Sequence, residues 1–228
     1  MLHKHTLNKF ILILIFFISS HKLYAAGPIT HAYFAKKWIL YHEKFNERQE
    51  ASFIRGTLFP DIRYLGVISR DRTHTKNLTL NQITNNKNPF FKGKDLHAFV
   101  DEEREKFVVE RKMYKKLRSI PGQIYIATFL KLLEDEILYE KESWDKMKKY
   151  LQVIDLQERK YKINKSSLLK WHSILIHCFS MSPSEYLARL SRENKGFANI
   201  PPEIVKKWQT LLPVFAKKNR NSPICWYA

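Results

Sequence analysis

His97 and Asp101 stand four apart in the phrase Leu96-His97-Ala98-Phe99-Val100-Asp101-Glu102. A helix through this phrase sets the imidazole and the carboxylate on one face, within reach of a common ligand. Three more residues of the same two types lie upstream: His31 in Thr30-His31-Ala32, Asp61 at the end of Gly56-Thr57-Leu58-Phe59-Pro60-Asp61, and His74 after Thr73. Imidazole and carboxylate ligands suit Zn²⁺, and a carboxylate shared between two such ions leaves a coordination position for water. Paired metals lower the pKa of that water and neutralise a phosphoryl oxygen. Each residue also has a plain alternative. His97 and Asp101 fit a surface ion pair with Arg104 on the same face, Asp61 after Pro60 fits a turn cap, and His74 fits a solvated loop.

Glu134 adds a sixth candidate. On a helix over 123–141 it shares a stripe with Ala127, Leu130, Ile137 and Leu138, which buries a carboxylate that then needs a metal or a cationic partner. His172 and His177 are five apart and project about 140° from each other on a helix. They read as core or surface histidines rather than joint ligands.

The elements that must position these groups are helical. His31, Phe34, Ala35, Trp38, His42 and Phe45 repeat at helical spacing from Thr30 to about Arg48. A short helix over 51–58 is expected next, stopped by Pro60. The periodicity then fades into an Asn-rich stretch over 61–91, a long loop of the kind that often carries function, with a short β-excursion possible around 62–68. Helical patterning resumes over 95–117, and over 123–141 after Pro121-Gly122. It continues over 143–156, 166–179, 183–193 and 201–215, with Ser182-Pro183-Ser184-Glu185 reading as a cap with proline at the first helical position. The fold class is all-α, a single multi-helix domain over 27–228.

Residues 1–26 read as a secretory signal. Lys4 and Lys9 precede an apolar run from Phe10 to Ile18, and small residues follow at Ala25-Ala26. The run is too short for a membrane span of roughly 20 residues. Cleavage after Ala25 or Ala26 leaves a new amino terminus a few residues before His31 and places the protein in a secreted or periplasmic location. The net charge of +18 falls to +15 when the three lysines of the segment leave, a balance that favours an anionic partner: a phospholipid surface, a phosphorylated substrate or nucleic acid. Cys178 and Cys225 fit either a bridge or a buried thiol at Cys178.

Taken together, the Thr30-His31 opening, the 56–61 phrase, Thr73-His74 and the 96–102 phrase resemble the zinc-dependent phospholipase C family over residues 27–140. The resemblance implies a helical fold of the phospholipase C/P1 nuclease type. It implies one zinc among Asp61, His74, His97 and Asp101, with Asp101 bridging to a second zinc held by His31 and the mature amino terminus. It also implies that Asp61 orients or deprotonates the attacking water. A third zinc of the family needs two histidines and a glutamate; Glu134 matches the glutamate, Leu130 stands where one histidine belongs, and the stretch 102–110 contains no histidine. Two zinc ions are therefore expected, with Glu134 as a further acid at the site. The family's membrane-binding β-domain has no counterpart here. The related S1/P1 nucleases start at a tryptophan and carry a Gln-Pro-x-His phrase, both missing, so nucleic acid ranks below a phospholipid or other phosphodiester substrate.

The expectation is an exported zinc-dependent phosphodiester hydrolase, most like a phospholipase C, making peripheral contact with anionic membrane. The competing expectation is a catalytically impaired member that keeps a metal and binds lipid head groups or a partner.

Overall fold

The computed structural model describes residues 25–197 and 199–219, and its regular elements are all helical. The only β-type pairing among the described residues is an isolated bridge between Phe197 and Ile200. Most of the signal segment and Cys225 lie outside the described residues. No described helix is long and apolar enough to cross a membrane.

Helix α1 (Pro28–His42) starts at a proline whose fixed φ suits the first helical turn, and it buries Ile29, Ala32, Ala35 and Trp38. It ends before the expected Arg48, because Asn46 and Gln49 form a capping box that starts a separate helix, α2 (Glu47–Leu58). The segment after Pro60 is a 3-10 helix over Pro60–Leu65, closed by Gly66 at φ 70°, and not a β-excursion. Proline fixes the first φ there and glycine supplies the left-handed stop.

The Asn-rich stretch is also more ordered than its composition suggests. It holds a 3-10 turn over Arg70–Arg72 and a short helix α3 (Leu80–Asn85), capped by Thr79 and Gln82. Helix α4 (Pro89–Glu110) then begins six residues earlier than expected, with Asn88 accepting the Phe91 amide. It also ends earlier: Lys112 takes a left-handed φ of 51°, and a single turn, α5 (Met113–Lys116), follows. Asparagine, threonine and proline here are cap chemistry rather than loop filler.

A 3-10 turn over Gln123–Tyr125 leads into α6 (Ile126–Tyr139). The expected helix over 143–156 is shorter, α7 (Asp145–Tyr150), and is followed by an unexpected turn of helix, α8 (Leu156–Arg159), capped by Asp155; α9 (Lys165–Cys178), α10 (Pro183–Arg192) and α11 (Pro202–Asn219) fall near their expected places. Ser182 makes the expected cap with Pro183 at the first helical position.

Two apolar cores meet along α6. One is built around Phe53, Ile54, Phe59, Phe90 and Trp171 and takes in Leu138. The other surrounds Phe129, Leu133, Leu187, Trp208 and Leu212. Three consecutive acids on α6, each buried, bind three different elements. Glu134 pairs with Arg104 of α4 at 2.7 Å, Asp135 accepts from the Thr30 amide and hydroxyl of α1 at 2.9 and 2.7 Å, and Glu136 accepts from the Ser184 amide of α10 at 2.8 Å. Consecutive helical side chains point about 100° apart, so a tripeptide reaches in three directions.

Helices α2 and α4 approach closely enough to need glycine on both sides. A Cβ at Gly56 would overlap the Phe90 carbonyl, and one at Gly93 would overlap the Phe53 carbonyl. This reciprocal contact brings the end of α2 against the middle of α4, where His97 lies.

Candidate metal centre

Asp101 is the centre of the site. Its Oδ1 lies 3.2 Å from His31 Nε2, and its Oδ2 lies 3.4 Å from His74 Nε2 and 3.6 Å from His97 Nε2. Asp61 Oδ1 stands 4.0 Å from His97 Nε2. All five side chains are buried. They come from α1, the 3-10 helix after α2, the turn after Arg72 and α4, so chain segments far apart in sequence converge on one point. The His31 and His97 rings stack at 3.7 Å, and His74 meets His97 edge-on at 4.9 Å.

The neighbours of two rings fix which nitrogen faces the centre. The Thr57 carbonyl of α2 can only accept, so the hydrogen bond at 2.8 Å makes His97 Nδ1 the donor. Thr73 Oγ1 donates its own proton to the Arg70 carbonyl at 3.1 Å, so at 2.8 Å it accepts from His74 Nδ1. In the neutral rings both Nε2 atoms therefore carry lone pairs, and both face a carboxylate oxygen. His31 Nδ1 and Nε2, His74 Nε2, His97 Nε2 and Asp61 Oδ1 are buried without a hydrogen-bond partner.

Lone pairs facing an anion repel unless a cation sits between them, and buried polar atoms without partners are costly. The atoms group into two sets, His31, Asp61 and His97, and His74, His97 and Asp101, each with ligand atoms within 4.8 Å of one another. These are two candidate positions for a metal ion, and the donor chemistry fits one with nitrogen and oxygen ligands.

The electrostatics agree. Burial holds His97 well below the usual imidazole range, reinforced by His31, and burial also lowers His74. Burial works to raise Asp101, yet His97, His31 and His74 outweigh it and hold the carboxyl well below the usual carboxylate range. Neutral imidazoles and an ionised carboxylate are the forms that ligate metals.

Glu134 stands outside both sets. It is buried on the stripe expected of it, and of the two roles open to it the cationic partner prevails: Arg104 Nε binds it at 2.7 Å. Arg104 thus turns to Glu134 rather than to Asp101. With Leu130 buried in apolar surroundings, the residues for a third metal do not fit. His172 is a core residue, bonded to the Leu151 carbonyl and Glu158, and His177 is half-buried against Tyr186.

Of four cations near the site, three escaped the sequence reading, and the fourth, Arg104, was expected to pair with Asp101 instead of Glu134. Arg63 approaches Asp61 Oδ1 at 3.1 Å and Arg70 approaches Asp101 Oδ2 at 3.3 Å, while Arg104 and Lys131 lie on the α6 side. The i, i+3 spacings of Asp101 with Arg104 and of Lys131 with Glu134 held part of this information. The arginines on the turns carried no periodic signal.

The Ala26 amide donates to Asp101 Oδ1 at 2.8 Å, which brings the segment before α1 into the site. Gly27 permits this, since a Cβ there would collide with the Asp135 carboxylate. Beside Asp61 opens a largely apolar cleft lined by Ala26, Tyr64, Lys131, Leu132, Met181 and Tyr186. Asp101 also borders a second, more open groove whose lining includes the charged residues Arg70, Glu102 and Glu105.

No family model matches the chain, and no curated protein or solved structure is significantly similar to it. Fold and site define an all-α protein with two clusters of His and Asp arranged for metal binding.

Proposed function

We propose that the chain is an exported, zinc-dependent phosphodiester hydrolase of the phospholipase C type. The observation that carries this reading is the convergence of the His74 and His97 Nε2 lone pairs on Asp101, with Asp61 beside them at the mouth of a cleft. By the resemblance, His74, His97, Asp101 and Asp61 would hold one zinc, although by distance Asp61 groups with His31 and His97. His31 and Asp101 would hold a second, with the Ala26 amine completing it after cleavage behind Ala25. Bound zinc would supply Lewis acidity and a water of lowered pKa.

The residues of the chain supply the rest. Asp61 would orient the attacking water and take its proton, Thr57 and Thr73 fix the tautomers of His97 and His74, and Arg70 pairs with the Asp101 carboxylate at 3.3 Å. The apolar cleft beside Asp61 and the groove lined by charged residues beside Asp101 suit a substrate with an apolar body, a phosphodiester and a polar head. That favours a phospholipid over nucleic acid, and the net charge of +15 left after cleavage favours an anionic surface.

A second reading, a metal-binding protein without turnover, draws on Arg63, whose guanidinium already occupies the Asp61 carboxylate at 3.1 Å. Metal analysis of the exported protein, with hydrolysis of phosphatidylcholine and of bis(p-nitrophenyl) phosphate measured with and without chelator, separates the two. Chelator-sensitive hydrolysis supports the enzyme, metal without turnover supports the second reading, and a protein that binds no metal overturns both.

A further inference from the structure

Lys131 projects from α6 into the apolar cleft beside Asp61, and its ammonium makes no hydrogen bond or ion pair with any described residue. A partly buried cation in such a setting needs a counter-charge. Every acid near it is engaged elsewhere. Glu134, one turn along the same helix, is taken by Arg104 at 2.7 Å; Asp61 faces Arg63 at 3.1 Å; Asp101 faces three imidazoles and Arg70; Asp135 is turned to Thr30. Arg104 adds further positive charge: it is fully buried, its terminal nitrogens lack hydrogen-bond partners, and its nearest second carboxylate, Glu105, stands at 3.6 Å.

The cation is thus placed at the cleft with no counter-charge bound to it among the described residues. We propose that Lys131, backed by Arg104, is the binding site for a phosphoryl oxygen of the ligand that occupies this cleft. The inference rests on the reading of the site as one that handles phosphodiesters, and it deepens that reading by naming the group that grips the phosphate. Fixed cations aimed at phosphoryl oxygens are a general means of holding and stabilising them. In this arrangement Arg104 is a positioning residue: it occupies Glu134 and so keeps the Lys131 ammonium turned to the cleft. Burial, reinforced by Arg104 and opposed by Asp61 and Asp101, pushes the Lys131 ammonium down to about 8, and a bound anion would stabilise its charged form.

The test is equilibrium binding of inorganic phosphate to the exported protein, measured by calorimetry on the metal-loaded and the chelator-stripped forms. Lys131→Met should weaken phosphate binding by about tenfold or more in both forms, the size of one charge-assisted hydrogen bond, while metal content and Tm stay at wild-type values. Lys131→Arg should restore most of the affinity. Arg104→Met alone frees the Glu134 carboxylate to compete for Lys131 and should weaken phosphate binding, whereas the double variant Arg104→Met/Glu134→Leu removes that competitor and should keep most of the affinity. Equal phosphate affinity in wild type and Lys131→Met overturns the proposal, as does a wild-type protein that binds no phosphate in either form. A wild type that takes up no metal defeats the metalloenzyme reading instead; phosphate binding to the stripped protein then still decides the role of Lys131.

Discussion

At the scale of single residues, the centre divides into groups that hold and groups that act. Asp61→Asn preserves shape and a coordinating oxygen but cannot take a proton, so turnover should fall by about 100-fold or more, with circular dichroism and metal content unchanged; loss of metal in this variant would assign Asp61 to holding alone. His97→Ala removes a ligand and strands the Thr57 carbonyl, so metal content and Tm should fall together, because metal binding is coupled to folding. Glu134→Gln tests the opposite case. It leaves Arg104 as a buried charge without its carboxylate, an effect of roughly 3–5 kcal/mol on stability, while activity per folded molecule should drop less than in Asp61→Asn; denaturant melts paired with turnover separate the two.

The histidines and aspartates were readable in the sequence because each sits in a short phrase whose order could be compared with a known pattern. Lys131, Arg63 and Arg70 were not, since a basic residue among 40 lysines and arginines carries no mark of its own. Only the three-dimensional contacts reveal which of them has lost its partner or found an unexpected one.

At the scale of helices, the site depends on a contact that contains no functional group. The reciprocal packing of Gly56 on Phe90 and Gly93 on Phe53 sets the distance between α2 and α4, and with it the bond from His97 to the Thr57 carbonyl. Gly93→Ala should force the helices apart at a cost of about 1–3 kcal/mol and weaken metal binding with no ligand altered, as read by thermal melts and metal titration. Wild-type values in both would show that the contact yields without disturbing the site. Periodicity located most helices, yet their ends were set by caps. Asn46 with Gln49 and Thr79 with Gln82 start helices inside stretches whose composition reads as continuation or loop. Side-chain oxygens satisfying first-turn amides outweigh average propensity there.

At the scale of the whole molecule, a strongly basic chain is organised around buried acids. Asp135 is the most telling, because burial pushes its carboxyl up to about 6 while Thr30 and Ile29 donate to it. A carboxyl raised in the folded state favours folding most when protonated. Its contribution is full below the ordinary value of 3.8 and is lost as pH rises through about 6. Denaturant stability of Asp135→Asn minus that of wild type should therefore increase between about pH 4 and pH 6, by up to ~3 kcal/mol for a shift of about two units; a flat difference curve would show that Asp135 titrates normally. The all-α class and the single chain of helices followed from patterning. The two cores meeting on α6 did not, because periodicity shows that a face is buried without showing what covers it.

The Glu134-Asp135-Glu136 run also sets a limit on how this protein can evolve. Substitutions at the three positions are separable, each touching one neighbour. A one-residue insertion or deletion earlier in α6 is not, since it turns the whole run by about 100° and unfastens α4, α1 and α10 in a single event. Lys131 would swing out of the cleft in the same step. Length changes should therefore accumulate in the connections on either side of α6, while its reading register stays locked.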